Sequence, residues 1–375
     1  QHNLSLSGGN EKVNWMLSGS FLLQNGLIRH GKDQMNRYTF NSKIGAELAD
    51  WIRVEYSTKW TRKDYEQPMY LTKANFFHNI ARRWPTCPVY DPNGYLLEGM
   101  ELIQMKEGGV QTEQKNYYTQ QVGLVFEPIK DWHINVEGSM RTYNQNQHYA
   151  VLPVYSHDIN GNPILHSWDG GASYAPGQSR VYDYRYTEDY FTTNIYSDYS
   201  KTINDHYFKV MAGFDAESRE RLGHYSEGRG MISTSLPEIG LTTDAEYART
   251  NGSSYNYNKE FAAVGFFGRV NYDFMGKYLL EANVRYDGSS MFPDGKKFGF
   301  FPSFSAGWRA SEESFFQWAK PALSDLKIRG SWGTIGNQDV AANTFISTMA
   351  SGTSGWVVNG VNLLRLSAPT VISSA

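Results

Sequence analysis

Few of the residues able to do acid–base or metal chemistry are spaced as a catalytic site requires. His148, His157 and His166 are nine residues apart, which is not the spacing of the zinc-binding HExxH motif. The chain also lacks the GxSxG turn of a serine nucleophile and a complete phosphate-binding loop ending in Lys-Ser or Lys-Thr. The sequence therefore predicts no catalytic residue, no metal site and no cofactor.

Two pairs of adjacent carboxylates, Glu188-Asp189 and Glu312-Glu313, are the other possible source of acid–base chemistry. A glycoside hydrolase needs two carboxyl groups that flank one sugar bond. Neighbouring residues of a strand point to opposite faces, so Glu188 and Asp189 cannot form such a pair within one strand. Solvated charge is the preferred interpretation, and a secreted β-rich glycan-binding module or glycoside hydrolase is the alternative.

The run Asp158-Ile159-Asn160-Gly161-Asn162 resembles the start of a calcium-binding loop. It departs from that loop at the sixth position, which is not glycine, and at the twelfth, where Asp169 replaces glutamate. Asn160-Gly161 is also a frequent pair in tight turns. The pattern therefore favours a plain turn.

Long strands with alternating apolar and polar residues must position these groups. Three such segments follow one another between Phe261 and Arg309. In the second, the apolar series is Tyr278, Leu280, Ala282, Val284 and Tyr286, and the intervening polar residues are Glu281, Asn283, Arg285 and Asp287. This alternation predicts strands with one apolar and one polar face.

Strand length and loop length together indicate a membrane barrel. The segments are nearer to the roughly 9–11 residues with which a tilted strand crosses a bilayer than to the 5 or 6 of a soluble strand. Short turns alternate with three long excursions. The first covers about residues 61–116, the second ends at about residue 189 and the third ends at about residue 259. In an up-and-down barrel all short turns lie at one end. Aromatic residues expected in a girdle at that end are Trp51, Trp132, Tyr207 and Tyr278.

Composition narrows the class of protein further. Aromatic residues make up 15% of the 375 residues and charged residues 19%, against about 25% charged residues in typical soluble domains. No apolar run is long enough for a transmembrane helix. The net charge of −3 gives no reason to expect a nucleic-acid partner. Cys87 is the only cysteine, so no internal disulfide can form.

Three runs of sequence resemble a known family. They are SLSGGNEKVNWMLSGSFLLQNG (5–26), YLLEANVRYDGSSMFPDGKKFGFFPSFSAGWRASEESFF (278–316) and LSDLKIRGSWGTIGNQ (323–338). All three are similar to segments of the SusC/RagA family of TonB-dependent outer-membrane transporters, and they occur in the family's order. Most of their residues build strands and turns.

The resemblance implies an all-β fold, an antiparallel transmembrane β-barrel of the TonB-dependent transporter type. Such barrels have about 22 strands around a plug, and residues 1–375 would supply roughly half of them, as one partial barrel domain with long extracellular loops and short periplasmic turns. We expect the plug domain and the C-terminal strands to lie outside this stretch. The implied location is the outer membrane of a Gram-negative bacterium, in contact with its lipid.

The resemblance also implies a function and partners. A SusC/RagA transporter imports an oligosaccharide, less often a peptide, beneath a SusD-like surface lipoprotein, and TonB supplies energy through a region outside this chain. Aromatic side chains in the long excursions are our candidates for ligand contact, because aromatic faces stack on sugar rings. These candidates are Trp84, Tyr90, Tyr155, Trp168 and Tyr174, with Tyr95 and Tyr182 as further members.

Overall fold

The structure is a computed structural model that describes residues 1–72, 76–82, 84–97, 101–165, 167–168, 172–173, 179–247, 257–340, 351–358 and 361–366. Its strands are β1 (His2–Gly9), β2 (Val13–Asn25), β3 (Gln34–Ala49), β4 (Ile52–Pro68), β5 (Val110–Ile129), β6 (Trp132–Val151), β7 (Tyr155–His157), β8 (Pro163–Leu165), β9 (Ser167–Trp168), β10 (Ala172–Ser173), β11 (Arg180–Ile203), β12 (His206–Met231), β13 (Thr242–Tyr247), β14 (Tyr257–Phe274), β15 (Tyr278–Ser289), β16 (Phe298–Arg309), β17 (Lys327–Gly333), β18 (Ser351–Val358) and β19 (Val361–Leu366). Two short helices, α1 (Phe76–Ala81) and α2 (Glu101–Glu107), lie between β4 and β5. Neither these nor any other described helix has the length and hydropathy needed to cross a bilayer.

One antiparallel sheet contains most of the strands. Its order is β1-β2-β3-β4-β5-β6-β11-β12-β14-β15-β16-β17, with β13 paired to β12. Sequential neighbours therefore pair throughout, as in an up-and-down barrel. The described strands do not close into a barrel, since β1 and β17 each pair on one side only.

The sheet has an apolar face and a polar face, as the alternation predicts. Cross-strand partners share a face, so the register extends each face from strand to strand. The apolar face includes Phe40, Trp60, Tyr118, Phe191, Val210, Phe266, Leu280 and Phe304, all of which are exposed. Large exposed apolar surfaces of this kind require a nonaqueous neighbour.

The apolar face ends partway along each long strand. On β4 it runs from Ile52 to Trp60, about nine residues, which is the length of strand that spans a bilayer. Beyond Trp60 the same face carries Arg62, Asp64 and Glu66. Strands β5, β6, β11 and β12 reach 20 to 26 residues, so their loop-side halves extend past this belt.

The long strands correct the predicted loop boundaries. β4 continues to Pro68 and β5 begins at Val110, so the excursion predicted over 61–116 is shorter than expected. Likewise β11 begins at Arg180, before the predicted limit near Asp189. Both faces of these strand ends are polar, because they lie beyond the apolar belt, and the alternation that marks a strand in the sequence disappears there.

Short turns join the strands at the belt end of the sheet. Asp131 and Asn204 adopt positive φ angles of 68° and 52° in two of them, a conformation that Asp and Asn tolerate better than most residues. Gly276, with φ of 66°, lies in the turn between β14 and β15. The connection after β16 contains two 3₁₀ turns, Ala310–Glu312 and Ser314–Phe316.

The girdle prediction requires its aromatic residues to lie on the apolar face of the sheet. Two of them do, and a third does not. Trp132 and Tyr278 share the apolar face with Ser197 and Phe274. Tyr207 lies on the polar face, opposite Asp273, and its neighbour Phe208 takes the apolar position. In β12 the aromatic residue on the apolar face is therefore one residue further along the chain than the girdle prediction assumed.

The buried apolar core lies in the excursions rather than within the sheet. It consists of Met69, Tyr70, Ile103, Met105, Val151 and Val154. The first four come from the segment between β4 and β5, and the last two from the end of β6 and the residues after it. Tyr149 and Tyr182 of the sheet pack against them. We call this cluster the loop core, because it fixes two long excursions to each other and to the sheet.

Candidate functional site

The candidate site has two parts, the polar face of the sheet and the aromatic residues of the excursions above it. On the polar face, register places side chains in rows that cross several strands. One row runs Thr39, Thr61, Tyr117, Tyr143, Glu188 and Arg221 from β3 to β12. The next row towards the short turns runs Asn41, Lys59, Thr119, Arg141, Tyr190 and Arg219.

Three tyrosines form a ladder in the middle of the polar face. The rings of Tyr117 and Tyr143 stack with centroids 4.6 Å apart, and those of Tyr143 and Tyr186 are 5.4 Å apart. The Tyr143 hydroxyl donates to Gln145 Oε1 at 2.8 Å. Stacked rings fringed by amides offer both flat apolar surface and hydrogen-bond partners, the combination that binds sugar rings.

Glu188 is bound within a network of cations next to this ladder. Arg141 Nη2 donates to one carboxylate oxygen at 3.0 Å and Arg221 Nε to the other at 2.7 Å, and the Tyr186 hydroxyl also donates, at 3.0 Å. Such bonds hold a carboxylate in its ionised form. Asp189 lies on the opposite face, since it pairs with Thr142 and Glu220. The register confirms that Glu188 and Asp189 do not form a hydrolase pair.

A second ion cluster lies towards β15. Arg285 Nη2 donates to Asp215 Oδ1 at 2.9 Å and to Asp287 Oδ1 at 2.8 Å. Gly265 lies between these two acids, as the cross-strand partner of both. The guanidinium also lies over the ring of Phe267, 5.5 Å from its centroid. The polar face therefore carries paired charges at this edge.

The predicted loop aromatics are distributed over two excursions. Trp84 and Tyr90 follow α1 and are 75% and 52% exposed. Tyr155 begins β7 in the other excursion and is half-buried. A stack of Tyr95 on His157, with ring centroids 3.8 Å apart, joins the two excursions. The backbone of Trp168 lies in β9, whereas its side chain and the whole of Tyr174 fall outside the described residues.

The Asp158 segment forms the tight turn favoured by its sequence. The Asp158 carboxylate accepts bonds from the Asn160 and Asn162 backbone N–H groups and from the Asn162 side chain. These bonds, that of the Asn162 side chain first, hold the pKa of this carboxyl below its usual value. Within the ranges given above, no three His, Cys, Asp or Glu side chains are grouped to hold a metal ion.

Comparisons with known proteins agree with this architecture. Residues 108–365 match the family described as TonB dependent receptor-like, beta-barrel. The chain belongs to this family. TonB-dependent receptor SusC of Bacteroides thetaiotaomicron is 34% identical over 90% of the chain, and TonB-dependent receptor P26 of Formosa agariphila is 23% identical over 90%. The chain covers 34% and 32% of these two relatives, about a third of their length.

Solved structures show the same fold. A structure of the RagAB peptide transporter matches 97% of the chain with a TM-score of 0.73 at 18% identity, and the chain covers 39% of it. The RagAB peptide importer in its open-open state gives a TM-score of 0.70 over the same share of the chain. The sheet is therefore part of an antiparallel transmembrane barrel of the TonB-dependent type. The proteins compared are receptors and transporters by name, not enzymes.

Sequence reasoning named aromatic residues of the excursions, whose contact with a ligand stays a prediction, and it wrongly placed Tyr182, which lies in β11, among them. It missed the rows of the polar face. Tyr117, Tyr143 and Tyr186 occur in stretches rich in polar residues, and part of each stretch was assigned to loops. The alternation of asparagine with glutamine over 144–147, directly after Tyr143, was the available signal. Cross-strand register, which brings the three rings together, is not encoded in any local pattern.

Proposed function

We propose that the protein containing these residues imports an oligosaccharide across the outer membrane of a Gram-negative bacterium. It would do so beneath a SusD-like surface lipoprotein, with TonB acting through a region outside the chain. Membership of the TonB-dependent receptor family and identity with SusC support the transport class. The tyrosine ladder, fringed by amides and open to the loop side of the sheet, supports a sugar as the ligand and carries the proposal.

The exposed aromatic residues of the excursions would make the first contact with the ligand. Trp84 and Tyr90 are exposed in the excursion between β4 and β5, and a ring on a fixed loop can stack on a sugar with little loss of conformational entropy. The loop core supplies this fixation, because it packs the two excursions together. Trp168 and Tyr174 stay candidates on sequence grounds alone.

A peptide is the second candidate ligand. The fold is that of RagAB, which is a peptide transporter by its title. Peptides and oligosaccharides place different demands on the site, since a peptide needs main-chain partners and side-chain pockets. Competition between the two classes of ligand therefore decides between them.

The test is uptake of labelled oligosaccharides and peptides by cells that carry or lack the full-length gene. We expect oligosaccharide uptake to depend on the gene and to fall about fivefold in Trp84→Ala, since aromatic stacking contributes about 1 kcal/mol. Trp318→Ala is the matched control, because Trp318 is 84% exposed at the short-turn end of the sheet. Gene-dependent uptake of peptides but not of oligosaccharides would make a peptide the ligand. Equal uptake of peptides and oligosaccharides by cells that lack the gene would refute the proposal.

A further inference from the structure

Three cations lie side by side on the polar face of β3, β4 and β5. Arg37 is the direct cross-strand partner of Lys63, and Lys63 is the direct partner of Lys115. All three side chains are half-buried. Lys59 follows on the same face, two positions nearer the short turns, with Thr61 between it and Lys63. We call Arg37, Lys59, Lys63 and Lys115 the basic strip.

Adjacent positive charges of this kind are unfavourable without an anion. Directly opposite side chains in an antiparallel pair are about 4.5–5.5 Å apart at Cβ, and like charges there repel. Lys115 Nζ has Glu113 Oε2 at 2.7 Å. Among the residues that the structure describes, no carboxylate lies within ion-pair distance of Arg37, Lys59 or Lys63. Lys63 instead has its ammonium over the ring of Tyr117, at 5.6 Å.

Several other cations of the polar face are matched by acids, although Arg219 lies over the Tyr190 ring and Arg269 donates to the Asn283 side chain instead. Arg141 and Arg221 share Glu188, and Arg285 has two partners as described above. On β3 itself, Lys43 Nζ is 3.2 Å from Glu55 Oε2. The basic strip differs from these matched cations because Arg37 and Lys63, neither of which has an acid partner among the described residues, are direct cross-strand partners.

The strip is also close to the groups that suit a sugar. Tyr117 links Lys63 to the tyrosine ladder, and the row of Arg37, Lys63 and Lys115 continues into Gln145 and Tyr186. On the apolar face of the same strands, Tyr38, Trp60 and Tyr118 are the last aromatic residues before the polar loop-side ends. The basic strip thus lies at the loop-side border of the belt, where a ligand entering from the loops meets it.

We propose that the basic strip binds the acidic groups of an anionic oligosaccharide, either carboxylates or sulfates, while the tyrosine ladder stacks on its rings. The inference rests on the proposed import of oligosaccharides and specifies their chemical class. The positive charge of the basic strip favours an anionic ligand. The tyrosine ladder and the amide side chains beside it favour a sugar rather than a small inorganic anion. The competing occupant is an acidic segment from the part of the protein outside this chain.

The experiment measures binding by the full-length protein in detergent with isothermal titration calorimetry. The probes are tetragalacturonate, its carboxyl-reduced neutral form, and a chondroitin sulfate tetrasaccharide. We expect one or both acidic probes to bind at least tenfold more tightly than the neutral one, with affinity falling as salt rises. The two acidic probes distinguish carboxylate from sulfate.

Three charge-removing variants locate the site. Arg37→Gln and Lys63→Gln should each weaken binding of the acidic probe about tenfold and leave the neutral probe unchanged. Lys43→Gln, which removes the same charge from the same face of β3, should leave both affinities unchanged. Because Arg37 and Lys63 repel each other, neither of their variants should lower the thermal midpoint of the protein.

Each other outcome overturns the proposal. A lower thermal midpoint in Arg37→Gln and Lys63→Gln, with unchanged binding, would assign the strip to an acidic segment of the protein itself. Equal or tighter binding of the neutral probe, or no binding of any acidic probe, would refute anion selection. If cells still took up neutral oligosaccharides in a gene-dependent way, the proposed import function would stand without anion selection. If no uptake depended on the gene, both the import function and the anion-binding proposal would be refuted.

Discussion

A glycine sets the geometry of the most connected ion cluster on the polar face. A Cβ at Gly265 would lie 2.6 Å from Arg285 Nη2, 2.6 Å from Asp287 Oδ1 and 2.9 Å from Asp215 Oδ1. Gly265→Ala should therefore displace the guanidinium from one or both acids. Because these atoms are the far ends of flexible, partly exposed side chains, we expect a loss of no more than about 1 kcal/mol of stability, measured as a lower thermal midpoint of the full-length protein in detergent.

Gly268→Ala is the matched control for this prediction. Gly268 lies three residues further along β14, on the apolar face, and its Cβ would meet Val284 Cγ2 at 3.4 Å and Met211 O at 3.7 Å. These are ordinary contacts, so the thermal midpoint should stay the same or rise slightly. Equal loss in both variants would show that β14 requires glycine for its backbone rather than for the ion cluster.

Glu313 gives the connection after β16 a dependence on pH. The Tyr278 hydroxyl donates to Glu313 Oε1 at 2.6 Å, and the Trp308 indole and the Lys277 ammonium also donate to this carboxylate. These bonds, that from Tyr278 first, lower the pKa of Glu313 below the usual value of a glutamate carboxyl. A lowered folded-state pKa stabilises the fold above the unfolded pKa, and this contribution is lost as pH falls through the folded value.

The expected result is a thermal midpoint that falls below about pH 4.5 more steeply in the wild type than in Glu313→Gln. At pH 7 the variant should be the less stable of the two, because the amide loses the charge-assisted bonds. Parallel curves for the two proteins across this range would show that Glu313 does not contribute to the pH dependence.

Individual residues were predictable where their role depends on local pattern alone. The opposite orientations of Glu188 and Asp189 follow from strand geometry, and the Asn160-Gly161 turn follows from turn chemistry. The basic strip was not predictable, because Arg37, Lys63 and Lys115 are separated by tens of residues and become neighbours only through register.

At the scale of elements, β15 defines the bilayer span. Tyr278 and Tyr286 lie on its apolar face, and Ala282 lies midway between them. An Arg at the bilayer midplane costs about 2–4 kcal/mol in a barrel strand. Ala282→Arg should therefore destabilise the full-length barrel by that amount when its unfolding is measured in lipid vesicles.

The polar face of the adjacent strand offers the control. Ser305 is the cross-strand partner of Glu281 on that face, so Ser305→Arg places the new charge beside an acid and away from lipid. Its free energy of unfolding should change by less than about 1 kcal/mol. Similar large losses for Ala282→Arg and Ser305→Arg would mean that the two faces have been assigned incorrectly.

Strands were predictable within the belt and not beyond it. From Ile52 to Trp60 one face is apolar, and the alternation is visible in the sequence. From Thr61 to Pro68 both faces are polar, so the pattern vanishes although the pairing of β4 with β5 continues. Hydrogen bonding between backbones extends these strands, and backbone bonding leaves no trace in side-chain periodicity.

The molecule as a whole consists of a sheet stabilised by its environment and a loop core stabilised by burial. The apolar face of the sheet is exposed in the isolated chain and needs lipid, whereas the loop core excludes water by itself. Val154 is fully buried in the loop core, beside residues of both long excursions. Strand pairing and loop packing can therefore be disrupted separately.

Val154→Asp tests this separation in the full-length protein. A buried carboxylate without a partner costs several kcal/mol, so the loop core should open, and limited proteolysis should cleave the excursions at least tenfold faster. The barrel should still assemble, which heat-dependent mobility in gel electrophoresis reports, but ligand uptake should fall because Trp84 and Tyr90 lose their support. Val89→Asp is the control, since Val89 lies between β4 and β5, in the excursion that carries Trp84 and Tyr90, and is 38% exposed. It should leave proteolysis and uptake nearly unchanged. Loss of barrel assembly in Val154→Asp would show instead that the loops and the sheet form a single cooperative unit.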